Sequence, residues 1–200
     1  MSKSSEKKEF ILEKATQVFI KNGFHNVTMK DIIEECGISR GGIYLYFSST
    51  DEIFMEVIKR HNLSKAKEVK IDIEKNNSFE AMLANYFDMQ KNRLLHMKNS
   101  LLLAMFEFFI AHKHEPDKDF FSGTFNMLEG TLYDVLDYGV RQKCLRAENL
   151  RVLSANVLFC IKGLETLAMS SGVSEELLNT QFEFIKKNIL TRYGDSSHEE

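Results

Sequence analysis

The sequence predicts an all-helical protein, and three observations support that fold class. The 200 residues contain one proline, and no Asn-Gly turn lies between two segments of alternating polarity. Apolar residues instead recur at spacings of three and four along most of the chain. A content of 44% hydrophobic and 28% charged residues is typical of an ordinary globular protein. We therefore expect a small N-terminal helical domain followed by a larger helical body.

Two short helices joined by a tight turn are predicted between Thr28 and Phe47. Thr28 followed by Asp31 has the spacing of a capping box, which starts a helix. Gly37 can end that helix in the left-handed conformation, and Ser39 can cap the next one. A helix, a turn containing Gly and a second short helix form a helix-turn-helix, whose second helix enters the DNA major groove.

The second helix carries two adjacent glycines and large polar side chains on its outer face. Gly41 and Gly42 each cost about 1 kcal/mol in helix propensity, but they allow another molecule to approach the backbone closely. Arg40 can reach a guanine edge or a phosphate. For an isolated pattern of this kind, a helical hairpin that only packs in a core is the alternative. The predicted DNA-binding residues are Thr28, Ser39, Arg40, Gly41, Gly42, Tyr44, Leu45, Tyr46 and Thr50.

The helix-turn-helix and its flanks follow a longer order of residues. The order comprises Ala15, Phe19, Gly23-Phe24, Val27-Thr28, Asp31-Ile32, Cys36 to Ser39, Gly41 to Phe47 and Ser49 to Phe54. This order resembles the N-terminal domain of the TetR family of bacterial transcriptional repressors, from about Ile11 to Val57. Three positions depart from the family pattern: Cys36 replaces a small Ala, Leu45 a common His, and Thr50 a phosphate-contacting Lys.

The expected organisation is a DNA-binding head, a connecting helix and a body. We place the helix-turn-helix domain at residues 1–50, linked by a helix over 50–75. The run Asn76-Asn77-Ser78 predicts a break, after which a ligand-binding and dimerisation domain spans 76–194, with a tail at 195–200. A capping box at Ser49 to Glu52 is expected to start the connecting helix. The other predicted helices are 5–22, 79–96, 100–113, 120–143, 149–170 and 174–193.

The body is rich in aromatic rings and methionines, which can fill a core or line a pocket for varied apolar ligands. Either reading is open from composition, and the family resemblance favours a pocket. Glu107 lies within an apolar run, where it marks either the wet side of a helix or a carboxylate for a cationic ligand. The predicted ligand-binding residues are Tyr86, Met89, Met105, Phe106, Phe109, Phe125, Tyr133 and Phe159.

The last two predicted helices carry an apolar stripe with small residues, which suits either a dimer interface or an internal core. In the resembled family the two final helices of each subunit form a four-helix dimer interface. A palindromic operator read by two recognition helices also demands two-fold symmetry. The predicted dimerisation residues are Phe159, Gly163, Leu167, Phe182 and Ile185.

Other functional classes have little support in the sequence. The charged start and the short apolar run Leu101 to Ala111 predict a cytoplasmic protein without a membrane segment. We find no catalytic or cofactor motif, and we interpret the stretch from His112 to Asp119 as a solvated loop rather than a metal site. The net charge is −3, and the expected basic patch comprises Lys3, Lys7, Lys8, Lys30 and Arg40.

The predicted function is that of a homodimeric repressor. It would bind a palindromic double-stranded operator and leave it when a small apolar or amphipathic inducer, not identified by the sequence, binds the body. One alternative is a DNA-binding regulator controlled by a partner protein. The other is a helical interaction module or enzyme with an incidental helix-turn-helix.

Overall fold

The computed structural model of the chain describes residues 3–98, 100–112, 115–146 and 149–194. The expected tail at 195–200 lies outside them. The described helices are α1 (Lys3–Asn22), α2 (Met29–Cys36), α3 (Arg40–Tyr44), α4 (Thr50–Glu74), α5 (Phe79–Leu95), α6 (Leu101–Ala111), α7 (Glu115–Arg141), α8 (Leu150–Ser170) and α9 (Glu175–Gly194). None of the described residues forms a strand, and the predicted all-α fold is confirmed.

The helix-turn-helix forms through the caps that its sequence predicts. The amide and hydroxyl of Thr28 donate to the Asp31 carboxylate at 2.8 and 2.7 Å, and the Asp31 amide donates to the Thr28 hydroxyl at 3.4 Å. Gly37 ends α2 with a φ of 62°, which a side chain would disfavour. The hydroxyl of Ser39 then accepts from the Gly42 amide at 3.1 Å and starts α3.

The second helix of this motif is shorter than predicted. It ends at Tyr44, so Phe47 lies beyond it rather than one turn along it. The Phe47 amide still donates to the Ile43 carbonyl at 3.1 Å, and both side chains are buried. The apolar face continues through the turn although the helix does not.

The N-terminus of α4 differs from the predicted capping box. The Ser49 hydroxyl accepts from the Glu52 amide at 3.1 Å, as expected. The Glu52 carboxylate, however, accepts from the amide and hydroxyl of Ser48, both at 2.7 Å. These two bonds lower the pKa of Glu52. The carboxylate therefore fixes the turn that precedes the helix, one residue earlier than a reciprocal box requires.

The first of two compact units comprises Met1–Leu63 and His96–Thr124. Within it, α1 packs against α2 and α6. Its core contains a cluster of rings, with Phe19 and Phe54 centred 4.6 Å apart and Phe24 and Phe108 centred 4.9 Å apart. The structure thus groups α6 with the N-terminal helices, because Met105 and Phe108 are buried in the same core. The expected division at residue 76 would have placed α6 in the body.

The second unit comprises Ser64–Leu95 and Phe125–Glu200. Here α5 packs against α8 and α9, with the rings of Phe87 and Phe182 centred 5.2 Å apart. The Tyr138 hydroxyl donates to the Asn77 carbonyl at 2.9 Å. Asn77 belongs to the predicted break after α4, so this bond holds the break against α7.

The seventh helix begins five residues earlier than predicted. It starts at Glu115, within the stretch that we expected to be a solvated loop. Pro116 does not prevent this start, since the first turn of a helix has amides without intrahelical acceptors and tolerates proline. Lys113 and His114 lie outside the described residues.

Candidate nucleic-acid interface

The outer face of α3 presents a cation, a ring and an open stretch of backbone. Tyr44 is 43% exposed and Leu45 is 82% exposed. The Arg40 guanidinium lies over the Tyr44 ring, 5.6 Å from its centre. Outside the α3 backbone and the two neighbouring residues, a Cβ added at Gly41 would meet no atom of the described residues within 4 Å. Ile43, fully buried on the opposite face, fixes which side of this short helix points outward.

The remaining predicted DNA-binding residues also support the fold of the motif. Thr28 and Ser39 are exposed, but their hydroxyls are engaged in the caps described above. Gly42 is half-buried, and a Cβ there would lie 3.2 Å from the Ser39 hydroxyl. Tyr46 is half-buried and packs against the core, and Thr50, the first residue of α4, is half-buried as well. The Thr28 and Ser39 hydroxyls are therefore engaged within the chain, and Gly42, Tyr46 and Thr50 are less exposed than Tyr44 and Leu45.

Two lysines of the basic patch predicted around the motif are paired with carboxylates of the chain. Lys8 pairs with Glu56 at 3.1 Å, and Lys30 lies 3.7 Å from Glu34. Lys7 lies 6.0 Å above the ring of Phe10, and the side chain of Lys3 is outside the described residues. Arg40 forms no ion pair with a carboxylate of the described residues and remains available to a phosphate or a guanine.

Glu107 supports the loop that leads into the motif, a role that the sequence did not reveal. Its carboxylate accepts from the amide of Phe24 at 2.6 Å and from the amide of His25 at 3.1 Å. A Cβ at Gly23 would lie 2.6 Å from the same oxygen. The carboxylate is thus neither fully solvated nor left open for a cationic ligand, because backbone amides of the α1–α2 loop occupy it. An acidic residue inside an apolar run was the only signal of this contact.

A second polar contact in the same unit joins the end of α6 to the start of α4. His112 Nε2 lies 3.5 Å from an Asp51 oxygen, and its Nδ1 lies 2.9 Å from the Phe108 carbonyl oxygen. The His112 ring stacks on Phe108 with 3.9 Å between centres. Among the described residues, no group of three or more His, Cys, Asp or Glu side chains is arranged to hold a metal ion.

The family model described as "Bacterial regulatory proteins, tetR family" matches residues 11–57, the part of the chain that contains this surface. YfiR, named as an uncharacterized HTH-type transcriptional regulator of Bacillus subtilis, is 32% identical over 133 residues, or 66% of this chain and 64% of that protein. Residues 11–57 belong to the TetR family. The family is one of regulatory proteins rather than enzymes. The chain spans just under two thirds of the length of the first two curated relatives, 64% in each case.

Solved structures share the fold of this chain over nearly its whole length. A regulator from Saccharomonospora viridis, solved in complex with choline, has a TM-score of 0.71 at 21% identity, covering 93% of this chain and 98% of that one. FadR from Bacillus subtilis, solved in complex with stearoyl-CoA, has a TM-score of 0.68 at 17% identity, covering 92% and 98%. At these identities the likeness establishes the fold.

The structure distributes the predicted ligand-binding residues over both units. Tyr86, Met89, Phe125, Tyr133 and Phe159 belong to the second unit. The three on α6, namely Met105, Phe106 and Phe109, belong to the first, where Met105 is core and Phe109 packs against it. Within the second unit, Phe125 stacks on Phe159 with 5.4 Å between ring centres. Two of the predicted ligand-binding residues, Phe125 and Phe159, therefore contact each other.

The predicted dimer surface is exposed on α8 but only partly on α9. Phe159 is 59% exposed, and Leu167 and Gly163 are exposed on the same side of α8. Phe182, by contrast, is buried against Phe87 and offers no surface, which corrects the prediction. Ile185 is half-buried. The exposed ring on α9 is Phe184, at 65% exposure. The apolar spacing on α9 identified a buried face, and Phe184 lies outside it.

Proposed function

We propose that the chain is a homodimeric transcriptional repressor that binds a palindromic DNA operator and is released by a small apolar or amphipathic molecule. The observation that carries this proposal is the outer face of α3, where the side chains of Arg40, Tyr44 and Leu45 are exposed next to the exposed backbone of Gly41. A face of this kind fits the major groove, since a guanidinium can bind guanine and a Leu side chain can contact a thymine methyl group. TetR-family membership supports the same conclusion.

Dimerisation is supported by the exposed apolar stripe on α8 and by Phe184 on α9. Val152, Phe159 and Leu167 recur at spacings of seven and eight residues, so they share one side of the helix. Gly163 lies between them and lets another helix approach closely. A soluble monomer that exposed this stripe would lose the free energy of burying it. Two copies joined through it would also supply the second recognition helix that a palindrome requires.

Control by a small molecule is supported by what related proteins bind. A curated relative is named as a fatty acid metabolism regulator of Bacillus subtilis, and the two structures described above hold stearoyl-CoA and choline. A ligand of the body would favour an arrangement of the subunits in which the recognition helices no longer match the operator. A coupling of about 1 to 3 kcal/mol is enough to change operator affinity severalfold to a hundredfold.

A cytoplasmic location is part of the proposal, although α8 is long and apolar enough to span a membrane by length and composition. Helices of soluble proteins meet the same criterion. The buried face of α8 includes Glu165, which is ion-paired with Arg93 and Lys162. A charged cluster of this kind is costly in lipid, so we assign the exposed side of α8 to a partner subunit.

The experiment is a fluorescence-anisotropy titration against DNA from immediately upstream of the coding region, beside a scrambled duplex of equal composition. We expect tight binding to the native duplex alone, with affinity that falls as salt rises because phosphate contacts release counterions. Tyr44→Ala should abolish the specific binding. Tyr44→Phe keeps the ring under Arg40 and removes only the hydroxyl, so it isolates a phosphate contact from a ring contact.

Ile71→Ala is the matched control, because Ile71 is also a large exposed apolar side chain but lies far along α4. It should bind the native duplex as the parent does. A folded dimer that binds neither duplex at low salt would contradict the proposal. Equal binding of both duplexes, unaffected by Tyr44→Ala, would contradict it as well.

A further inference from the structure

One charged cluster of the second unit contains more cationic than anionic groups. Tyr86, Gln90 and Arg93 recur along one face of α5 at spacings of four and three, and α5 packs against α8. The Gln90 carbonyl accepts from Nη2 of Arg93 at 2.6 Å. The buried carboxylate of Glu165, on α8, accepts from Arg93 and from Nζ of Lys162 at 2.8 Å. Two cations therefore share one carboxylate.

The Arg93 side chain also keeps a donor without an acceptor. Its Nε atom is buried, and no group of the described residues accepts its hydrogen bond. A buried N–H of this kind costs free energy unless something binds it. The arrangement around Glu129 is different, because that buried carboxylate is matched by one arginine, Arg151 at 2.6 Å, and by the Ser154 hydroxyl. Of these two clusters of described residues, the one around Arg93 has both an excess positive charge and an open donor.

Tyr86 adds a neutral donor to the same face of α5. Burial raises the pKa of the Tyr86 hydroxyl to about 12, so it stays protonated near pH 7 and can donate. The charges of Arg93 and Glu165 act on the same pKa in opposite directions, Arg93 lowering it and Glu165 raising it. Beside it, the Tyr86 ring meets the buried Phe87 ring edge to face with 5.5 Å between centres, and the half-buried Tyr86 ring provides apolar surface.

From these contacts we infer that Arg93 and Tyr86 bind the carboxylate of an amphipathic monoanionic ligand. The ligand's carboxylate accepts from Nε of Arg93 and neutralises the excess charge. The apolar part of the ligand lies beside the Tyr86 ring. A guanidinium suits a carboxylate because it offers parallel N–H donors. Glu165 competes for the same guanidinium in the free protein. This inference rests on the proposed function, since it names the chemical class of the inducer.

The test uses three single-chain amphiphiles with unbranched alkyl chains of about ten carbons and different head groups: decanoate, decan-1-ol and decyltrimethylammonium. Each is titrated into the full-length, DNA-free protein by isothermal calorimetry, below its critical micelle concentration. We expect decanoate to bind about tenfold more tightly than decan-1-ol or better, because a hydrogen bond to a charged group is worth at least that factor. Arg93→Gln should remove this preference and leave decan-1-ol unchanged.

Two carboxylate variants separate recognition from structure. Glu165→Gln removes the competing anion and should raise decanoate affinity, whereas a purely structural ion pair would give no such gain. Glu129→Gln is the matched control, since it alters the other buried carboxylate of the unit and should leave decanoate affinity unchanged. Tyr86→Phe removes one donor and should lower decanoate affinity without changing that of decan-1-ol.

The inference is overturned if decanoate does not bind, if the ammonium compound binds most tightly, or if folded Arg93→Gln keeps the preference for decanoate. If Arg93→Gln does not fold, the same decision rests on Glu165→Gln and Tyr86→Phe, and unchanged decanoate affinity in both would overturn it. Operator binding is measured without ligand, so the proposed repressor function can fail or hold independently of this result.

Discussion

Replacing Glu107 tests how α6 supports the helix-turn-helix. Glu107→Ala removes the acceptor of two amides in the α1–α2 loop, those of Phe24 and His25. A hydrogen bond to a charged group contributes about 1.5 to 3 kcal/mol. The Phe24 amide is partly buried and the His25 amide is exposed, so water can replace the second bond but only part of the first. We therefore expect the free energy of unfolding to fall by about 1.5 to 3 kcal/mol.

Urea denaturation measures this loss, and hydrogen exchange locates it. The amides of Phe24 and His25 should exchange faster in Glu107→Ala, while amides in the core of α1 should change only as far as global stability does. Glu107→Gln is the control because it keeps an oxygen acceptor but not the charge. It should cost about 1 kcal/mol, the value of a neutral hydrogen bond.

A double-mutant cycle with Gly23→Ala provides the stricter test. In the parent protein the added methyl would lie 2.6 Å from the carboxylate oxygen, and the residue would also hold a φ of 76°, which costs an alanine about 1 to 2 kcal/mol. In the Glu107→Ala background only the backbone strain remains. We expect the two substitutions to be non-additive by at least about 1 kcal/mol. Additivity within about 0.5 kcal/mol would refute the contact.

Four further predictions concern other parts of the chain. Gly41→Ala should weaken operator binding in the anisotropy assay while the melting temperature stays level or rises, because its methyl meets no atom of the protein and alanine favours helix by about 1 kcal/mol. Gly139→Ala should lower the free energy of unfolding in urea by about 1 to 3 kcal/mol, since its methyl would lie 2.6 Å from the buried Phe79 ring. Phe159→Glu should convert the proposed dimer to a monomer, as measured by light scattering. The hydrogen bonds that lower the pKa of Glu52 stabilise the fold above its unfolded value of about 4.5, and this contribution is lost as pH falls through the lower folded value. Acid titration of Glu52→Gln should therefore lose less stability over that range than the parent does.

The elements that sequence predicted well are those fixed by neighbours in the chain. Thr28, Gly37 and Ser39 define the helix-turn-helix through contacts within three residues, so their residue types and spacing suffice to place the caps. The break before α5 is local for the same reason. The early start of α7 was missed because the charged residues around Pro116 are equally compatible with a loop and with a first helical turn.

Assignments that depended on distant neighbours were less complete. The spacing on α9 correctly indicated that Phe182 shares an apolar face with Ile185, but periodicity cannot say whether a face is covered by another helix of the same chain or by a second subunit. The ring of Phe87, on α5, covers Phe182, and the exposed ring is Phe184. Met105 was similarly assigned to a ligand pocket, whereas the fold places α6 beside α1 and buries Met105 there.

The carboxylates of the apolar helices illustrate the same limit and also indicate where function can lie. Glu107, Glu129 and Glu165 each lie on a helix with a strongly apolar face, and in the folded chain each accepts from at least one donor of a different element. Because their partners are loop amides, an arginine with a serine, and an arginine with a lysine, no pattern of spacing could have distinguished them. The decisive difference is the balance of donors. Glu107 and Glu129 leave no described donor without an acceptor, and so they stabilise the fold. Around Glu165 a buried donor of Arg93 remains open, and a bound carboxylate would complete its hydrogen bonding.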